Sequence, residues 1–154
     1  MWKAFIDLQD DHPNDWELWC MGTGEEFENR IIHPKIKHFG FVQPNQMLSY
    51  LSNSGVYILP SLFEPWGVSV HEMAAAGFPL LLSDKVGSSE KFLIDGKNGY
   101  NFNSSDINSI KKVMIKVINL KDSELVSMGN ESFKLSLSET PKKWSNTLLS
   151  FLYD

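Results

Sequence analysis

The sequence predicts an α/β domain: a Rossmann-like, doubly wound parallel sheet followed by a helical C-terminal region. Three observations carry this. Between about residues 17 and 102, short apolar runs alternate with stretches of helical character, the pattern of parallel strands joined by crossover helices. Most of those runs lack polar alternation, as strands covered on both faces do. After Asn103 the strand-like runs cease and only helical periodicity continues. The 154 residues suit one domain, an α/β core over 1–103 and helices over 104–154.

The chain opens on Lys3-Ala4-Phe5-Ile6-Asp7-Leu8, which reads as the later part of a helix with no strand before it. Doubly wound sheets rarely begin so, and a first strand with its loop is expected to precede this chain. The expected strands are Leu18–Met21, Ile36–Gly40, 56–59, Leu80–Ser83 and Gly99–Phe102. Between them, 25–31, Pro44–Leu51, 67–76 and 88–93 begin at helix-start signals, and several end near Gly or Asn. Beyond Asn103, the segments 104–120, 123–135 and 140–152 read as helices, with Ser104, Ser105 and Asp106 available to cap the first. In the last, Trp144, Leu148, Leu149 and Leu152 recur at helical spacing, so an apolar stripe should dock there.

Composition removes several function classes. Fourteen basic against nineteen acidic residues give a formal charge of −5, and no Lys/Arg cluster offers a nucleic-acid footprint. The pairs Lys35/Lys37, Lys111/Lys112 and Lys142/Lys143 read as solvated surface. The single cysteine, Cys20, sits in the apolar run Leu18-Trp19-Cys20-Met21 and reads as a small buried hydrophobe. No apolar run approaches the ~20 residues of a membrane span, and Met1-Trp2-Lys3 does not open a signal peptide. A cytoplasmic protein is expected, peripheral to the inner face of the membrane at most. His12, His33, His38 and His71 form no ligand pattern, so no metal site is expected.

The chemistry concentrates after the third strand. That strand breaks at Pro60, and Ser61-Leu62-Phe63-Glu64-Pro65-Trp66 leads to a helix starting near Gly67. Ligands of open α/β sheets bind at the carboxyl ends of strands, which places a site on this loop. A glycine at the helix start lets a ligand approach the first free N–H groups, which favour a phosphate by ~0.3–2 kcal/mol per charge. Most helix starts, however, hold only water or a cap. Glu64 and Glu72 flank the same position, and carboxylates accept hydrogen bonds from sugar and ribose hydroxyls. Their spacing alone is uninformative, because Glu17/Glu25 and Glu131/Glu139 share it. Glu72 also points away from the apolar stripe of Val70, Met73 and Ala74, as a solvated residue would.

The run Leu59-Pro60-Ser61-Leu62-Phe63-Glu64-Pro65-Trp66-Gly67-Val68-Ser69-Val70-His71-Glu72-Met73-Ala74-Ala75-Ala76-Gly77-Phe78-Pro79 resembles the signature of retaining glycosyltransferases of the GT-B fold, the large family 4. The resembling part is their C-terminal, donor-binding domain. Ser83-Asp84, Gly87, Glu90 and Asp95-Gly96-Lys97-Asn98-Gly99-Tyr100 follow in register. Upstream, Met21-Gly22-Thr23-Gly24 resembles the family's Gly-x-Gly strand exit, and Phe39-Gly40-Phe41-Val42 its next strand end. The resemblance implies a nucleotide-diphosphate sugar as donor substrate, no cofactor, no tightly bound metal, and a role in polysaccharide biosynthesis. It casts Glu64 as the catalytic residue, contacting the transferred sugar, and Glu72 as the ribose ligand. Backbone groups of Gly67 and Val68 would hold the diphosphate, with the base between Gly22–Gly24 and Phe41-Val42. The family usually has two adjacent glycines where this chain has Gly87-Ser88. Its phosphate-binding Arg and Lys, and the N-terminal domain that binds a saccharide or lipid-linked acceptor, would precede Met1. This chain alone is therefore expected to be inactive. Lys85 could replace the missing cations or be plain surface.

Two other functions compete. One is a non-catalytic fragment or partner module that keeps the fold without useful donor binding. The other, a serine hydrolase built on Gly67-Val68-Ser69-Val70-His71, fails because His71 stands where the nucleophile elbow needs its final glycine.

Overall fold

The computed structural model describes residues 1–153, and the opening segment is indeed helical. Helix α1 (Trp2–Asp11) buries Ala4, Phe5 and Leu8 on one face. Five strands follow, interleaved with helices: β1 (Leu18–Met21), β2 (Ile36–Gly40), α2 (Pro44–Leu51), β3 (Tyr57–Leu59), α3 (Val68–Ala75), β4 (Leu80–Ser83), α4 (Ser89–Phe92) and β5 (Gly99–Phe102). Three helices close the described chain: α5 (Ile107–Ile118), α6 (Asp122–Ser136) and α7 (Pro141–Tyr153). Every strand pairing is parallel, as the unbroken apolar runs require.

The strands form two sheets rather than one. β1 pairs with β2, and β3-β4-β5 form a second sheet in that order, with no ladder between the two among the described residues. A shared core joins them. Leu18 and Ile36 from the first sheet pack with Leu81 and Phe102 from the second, beneath Ala4, Phe5 and Leu8 of α1 and Ile110, Val113, Met114 and Val117 of α5. On the other face, Leu80 and Leu82 pack with Val70, Ala74, Val86 and Phe92. All four β4 residues are buried, so that strand is covered on both sides. Each fully buried leucine contributes roughly 1.5–3 kcal/mol.

Local signals explain most boundaries. Asp106 accepts a hydrogen bond from the Asn108 N–H and starts α5, while Ser104 and Ser105 remain in the turn before it. The segment 25–31 is a single 3-10 turn, Glu25–Phe27, instead of a helix. Its neighbours Ile31 and Ile32 are exposed, so no apolar face rewards a longer helix, and Pro34 disfavours helix at the preceding residue. The stripe on α7 does not dock. Trp144, Leu148, Leu149 and Leu152 are all exposed, and α7 is tied to the body chiefly near its start, where Glu139 pairs with Lys91 at 2.8 Å.

Candidate functional site

β3 ends at Leu59, Pro60 stops the ladder, and the chain turns through Ser61–Trp66 to Gly67, the residue that caps α3. Gly67 has φ +86°, a conformation side chains rarely tolerate. A Cβ there would also meet Glu64 Cγ at 3.2 Å, Val70 Cγ2 at 3.3 Å and Leu59 Cδ2 at 3.4 Å. The room expected for a ligand at this carbon is taken up by the protein's own atoms. Val70 N donates to Gly67 O, whereas the N–H groups of Val68 and Ser69 have no acceptor among the described residues.

A second segment braces this loop. Glu64 N donates to Lys85 O (3.1 Å), Gly87 N to Glu64 O (2.9 Å) and Ser88 N to Trp66 O (3.0 Å). Ser83 Oγ donates to Ser61 O at 2.6 Å. A Cβ on Gly87 would lie 2.0 Å from Pro65 O, so glycine is obligatory there. Ser88 is fully buried and its hydroxyl reaches Gly67 O at 3.4 Å. The serine in place of the second glycine adds this long contact to the backbone bond to Trp66 O that a glycine would also make.

The two carboxylates sit differently. Glu64 is half-buried and its Oε1 accepts weakly from Trp66 N at 3.4 Å. Glu72 is exposed, on the side of α3 away from Val70 and Ala74. His71 stacks on Phe92 at 4.5 Å and bonds Ser136 O at 3.0 Å, fixing α3 to α4 and α6. It is satisfied structurally. Lys85 pairs with Asp84 at 2.9 Å. Asp84 also accepts from the Ser104 N–H, which, with Lys85, holds its carboxyl down to about 2. The Lys85 side chain is half-exposed and its ammonium is engaged by Asp84.

The other predicted residues lie at the carboxyl ends of β1 and β2. Gly22 (φ +118°) donates its N–H to Gly40 O at 2.7 Å, bringing the Gly22–Gly24 turn beside the β2 exit. Gly22, Gly24 and Phe41 are exposed, but Val42 is buried, so its side chain belongs to the core and only its backbone can serve the loop. Glu64, Gly67, Val68 and Glu72 therefore form one loop-and-helix unit. Gly22, Gly24 and Phe41 form a second group on the neighbouring sheet, and no hydrogen bond joins the two groups among the described residues.

Tyr57 escaped the sequence reading. Its hydroxyl lies 2.7 Å from Ser69 Oγ. Burial pushes the phenol up, and the nearby Glu64 and Glu72 carboxylates add to the shift against the opposing Ser69 hydrogen bond. The available signal was a polar tip in the otherwise aliphatic run Val56-Tyr57-Ile58-Leu59. Among the described residues, no group of three His, Cys, Asp or Glu side chains could hold a metal ion, and no helix is long and apolar enough to cross a membrane.

Set against known families, residues 1–134 match the one described as "Glycosyl transferases group 1". The chain belongs to that family. This group 1 glycosyltransferase chain is 29% identical over 123 residues to a glycogen synthase of Mycobacterium tuberculosis, covering 75% of this chain and 29% of that protein. It is 26% identical over 102 residues to an uncharacterized 41.2 kDa protein in the cps region of Klebsiella pneumoniae, covering 66% of this chain and 26% of that protein. Among solved structures, the trehalose-6-phosphate synthase OtsA without ligand superposes with TM-score 0.80 at 14% identity, over 99% of this chain and 39% of OtsA. The pneumococcal O-GlcNAc transferase GtfA, solved with UDP and GlcNAc, gives 0.77 at 24% identity, over 99% and 32%. TarM gives 0.76 at 18%, over 94% and 30%. The fold of this glycosyltransferase chain is that of a GT-B C-terminal domain. The chain spans between about a quarter and two fifths of these proteins.

Proposed function

We propose that this chain is the donor-binding domain of a retaining, family 4 glycosyltransferase that moves a sugar from a nucleotide-diphosphate sugar to a saccharide or lipid-linked acceptor. The observation that carries the reading is the pair of acceptor-free N–H groups at Val68 and Ser69, flanked by the carboxylates of Glu64 and Glu72. A helix start of this kind attracts a diphosphate, and the fixed dipole needs no reorganisation as charge grows on the leaving group. In transfer, the bond from the sugar's anomeric carbon to the diphosphate oxygen breaks, one to an acceptor hydroxyl oxygen forms on the same face, and the hydroxyl proton leaves with the departing nucleoside diphosphate. Glu64 is assigned to the transferred sugar, Gly67 and Val68 backbone to the diphosphate, and Glu72 to the ribose hydroxyls. Gly22, Gly24, Phe41 and the backbone of Val42 are assigned to the base. A cytoplasmic setting and a further, acceptor-binding domain belong to the same proposal.

Thermal denaturation with a panel of nucleotide sugars tests it. A bound donor at about a hundred times its Kd stabilises by roughly 2.7 kcal/mol. One nucleotide sugar should raise the Tm of the wild type and fail to raise that of Glu72→Ala. If none raises it, the donor-site assignment falls and the non-catalytic module is the better description.

A further inference from the structure

Helix α3 begins without a side-chain cap, because Gly67 has no side chain to give one. Its first turn is held to the sheet by one side-chain hydrogen bond among the described residues, from Tyr57 at the start of β3 to Ser69, the second residue of α3, at 2.7 Å. Tyr57 is half-buried and packs against the cluster formed by Val70, Ala74, Leu80, Leu82, Val86 and Phe92. Ser69 and Glu72 are three apart on α3 and share a side of it. The Ser69 N–H is one of the two acceptor-free donors. Tyr57 thus holds the residue that carries a free donor and stands one turn from the exposed carboxylate. Its buried phenol keeps its proton beside Glu64 and Glu72, both of which disfavour its ionisation.

We propose that Tyr57 is a positioning residue of the donor site: by holding Ser69 Oγ it fixes the first turn of α3, and with it the aim of the Val68 and Ser69 N–H groups and of Glu72. The role rests on the donor-site reading above. It does not require Tyr57 to touch the donor. A phenylalanine keeps the packing and loses only the hydroxyl, which separates aim from burial.

The test uses the full chain as wild type, Tyr57→Phe, Ser69→Ala, the double variant and Ser69→Thr. Amide exchange of residues 70–73 is measured without ligand, and affinity for UDP, GDP and ADP by amide-shift titration. Loss of one neutral hydrogen bond should speed exchange in α3 and weaken nucleotide binding by about 3- to 10-fold, with β4 amides unchanged. The double variant should be no worse than either single one, and Ser69→Thr should retain wild-type affinity, because both keep or remove the same bond. Undiminished binding by Tyr57→Phe and Ser69→Ala would overturn the positioning role alone. So would losses that add in the double variant, or faster exchange spread equally over β4. A wild type that binds none of the three nucleotides would instead remove the donor site, and this role with it.

Discussion

Gly67 and Gly87 lie on two segments that meet at one loop, and they satisfy different demands there. At Gly67 the left-handed backbone disfavours a side chain and three nearby side-chain carbons crowd it, while at Gly87 the obstacle is the backbone oxygen of Pro65. Pro65 and its neighbours cannot yield without breaking the bonds that Glu64 and Trp66 make to 85–88. Gly87→Ala should therefore destabilise by at least about 1–3 kcal/mol, the range for an overpacked contact, read as a lower urea midpoint with an unchanged slope. Gly67→Ala should cost roughly 1–2 kcal/mol from the left-handed conformation alone. Sequence singled out Gly67 because it follows a strand and precedes a helix. It offered no comparable reason for Gly87 beyond resemblance, since Pro65 is distant in sequence and only folding brings the two together. Tyr57 and Ser69 were illegible for the same reason. At Val42, sequence shows that the residue follows a strand without showing that its side chain turns inward.

At the scale of elements, α6 and α7 are fastened by carboxylates that each face two lysines. Glu131 meets Lys97 and Lys134, and Glu139 meets Lys91 and Lys143, with nitrogen–oxygen distances of 2.6–2.9 Å. These hydrogen bonds lower both carboxyls from 4.5 to about 2, Lys134 and Lys143 being the larger causes. A carboxyl depressed by folding contributes stability that is complete above its ordinary value and disappears as pH falls through the folded one. Acidifying from about pH 5 toward about pH 2 should thus lower the Tm of the wild type more steeply than that of Glu131→Gln or Glu139→Gln. High salt should blunt the difference, since these pairs are open to solvent. The apolar strands were legible because a run of Leu or Val/Ile has few other uses. The segment 25–31 was not, because three acidic residues and a phenylalanine suit a helix start equally well whether or not a helix continues. The α7 stripe was read correctly as apolar and helical, yet periodicity records what a helix could bury and is silent on what lies opposite.

For the molecule as a whole, alternation of apolar and helical segments was sufficient to give the parallel α/β architecture, including the opening helix. The division into two sheets was invisible in sequence, since each strand looks the same whether its neighbour pairs with it or not. That division leaves side chains as the link between the two sheets among the described residues. With no ladder between β1-β2 and β3-β4-β5, the halves are coupled through the side chains of α1 and α5 that lie beneath both. Phe5 is 4% exposed at this junction, and Phe5→Ala should cost roughly 3–5 kcal/mol. The larger effect should be on cooperativity: in that variant, native-state exchange should release the β1-β2 amides at lower denaturant than those of β4, where the wild type opens both together. Among the described residues, cohesion between the two sheets therefore rests on a broad layer of side-chain packing, and a substitution within that layer probes it more directly than one in either ladder.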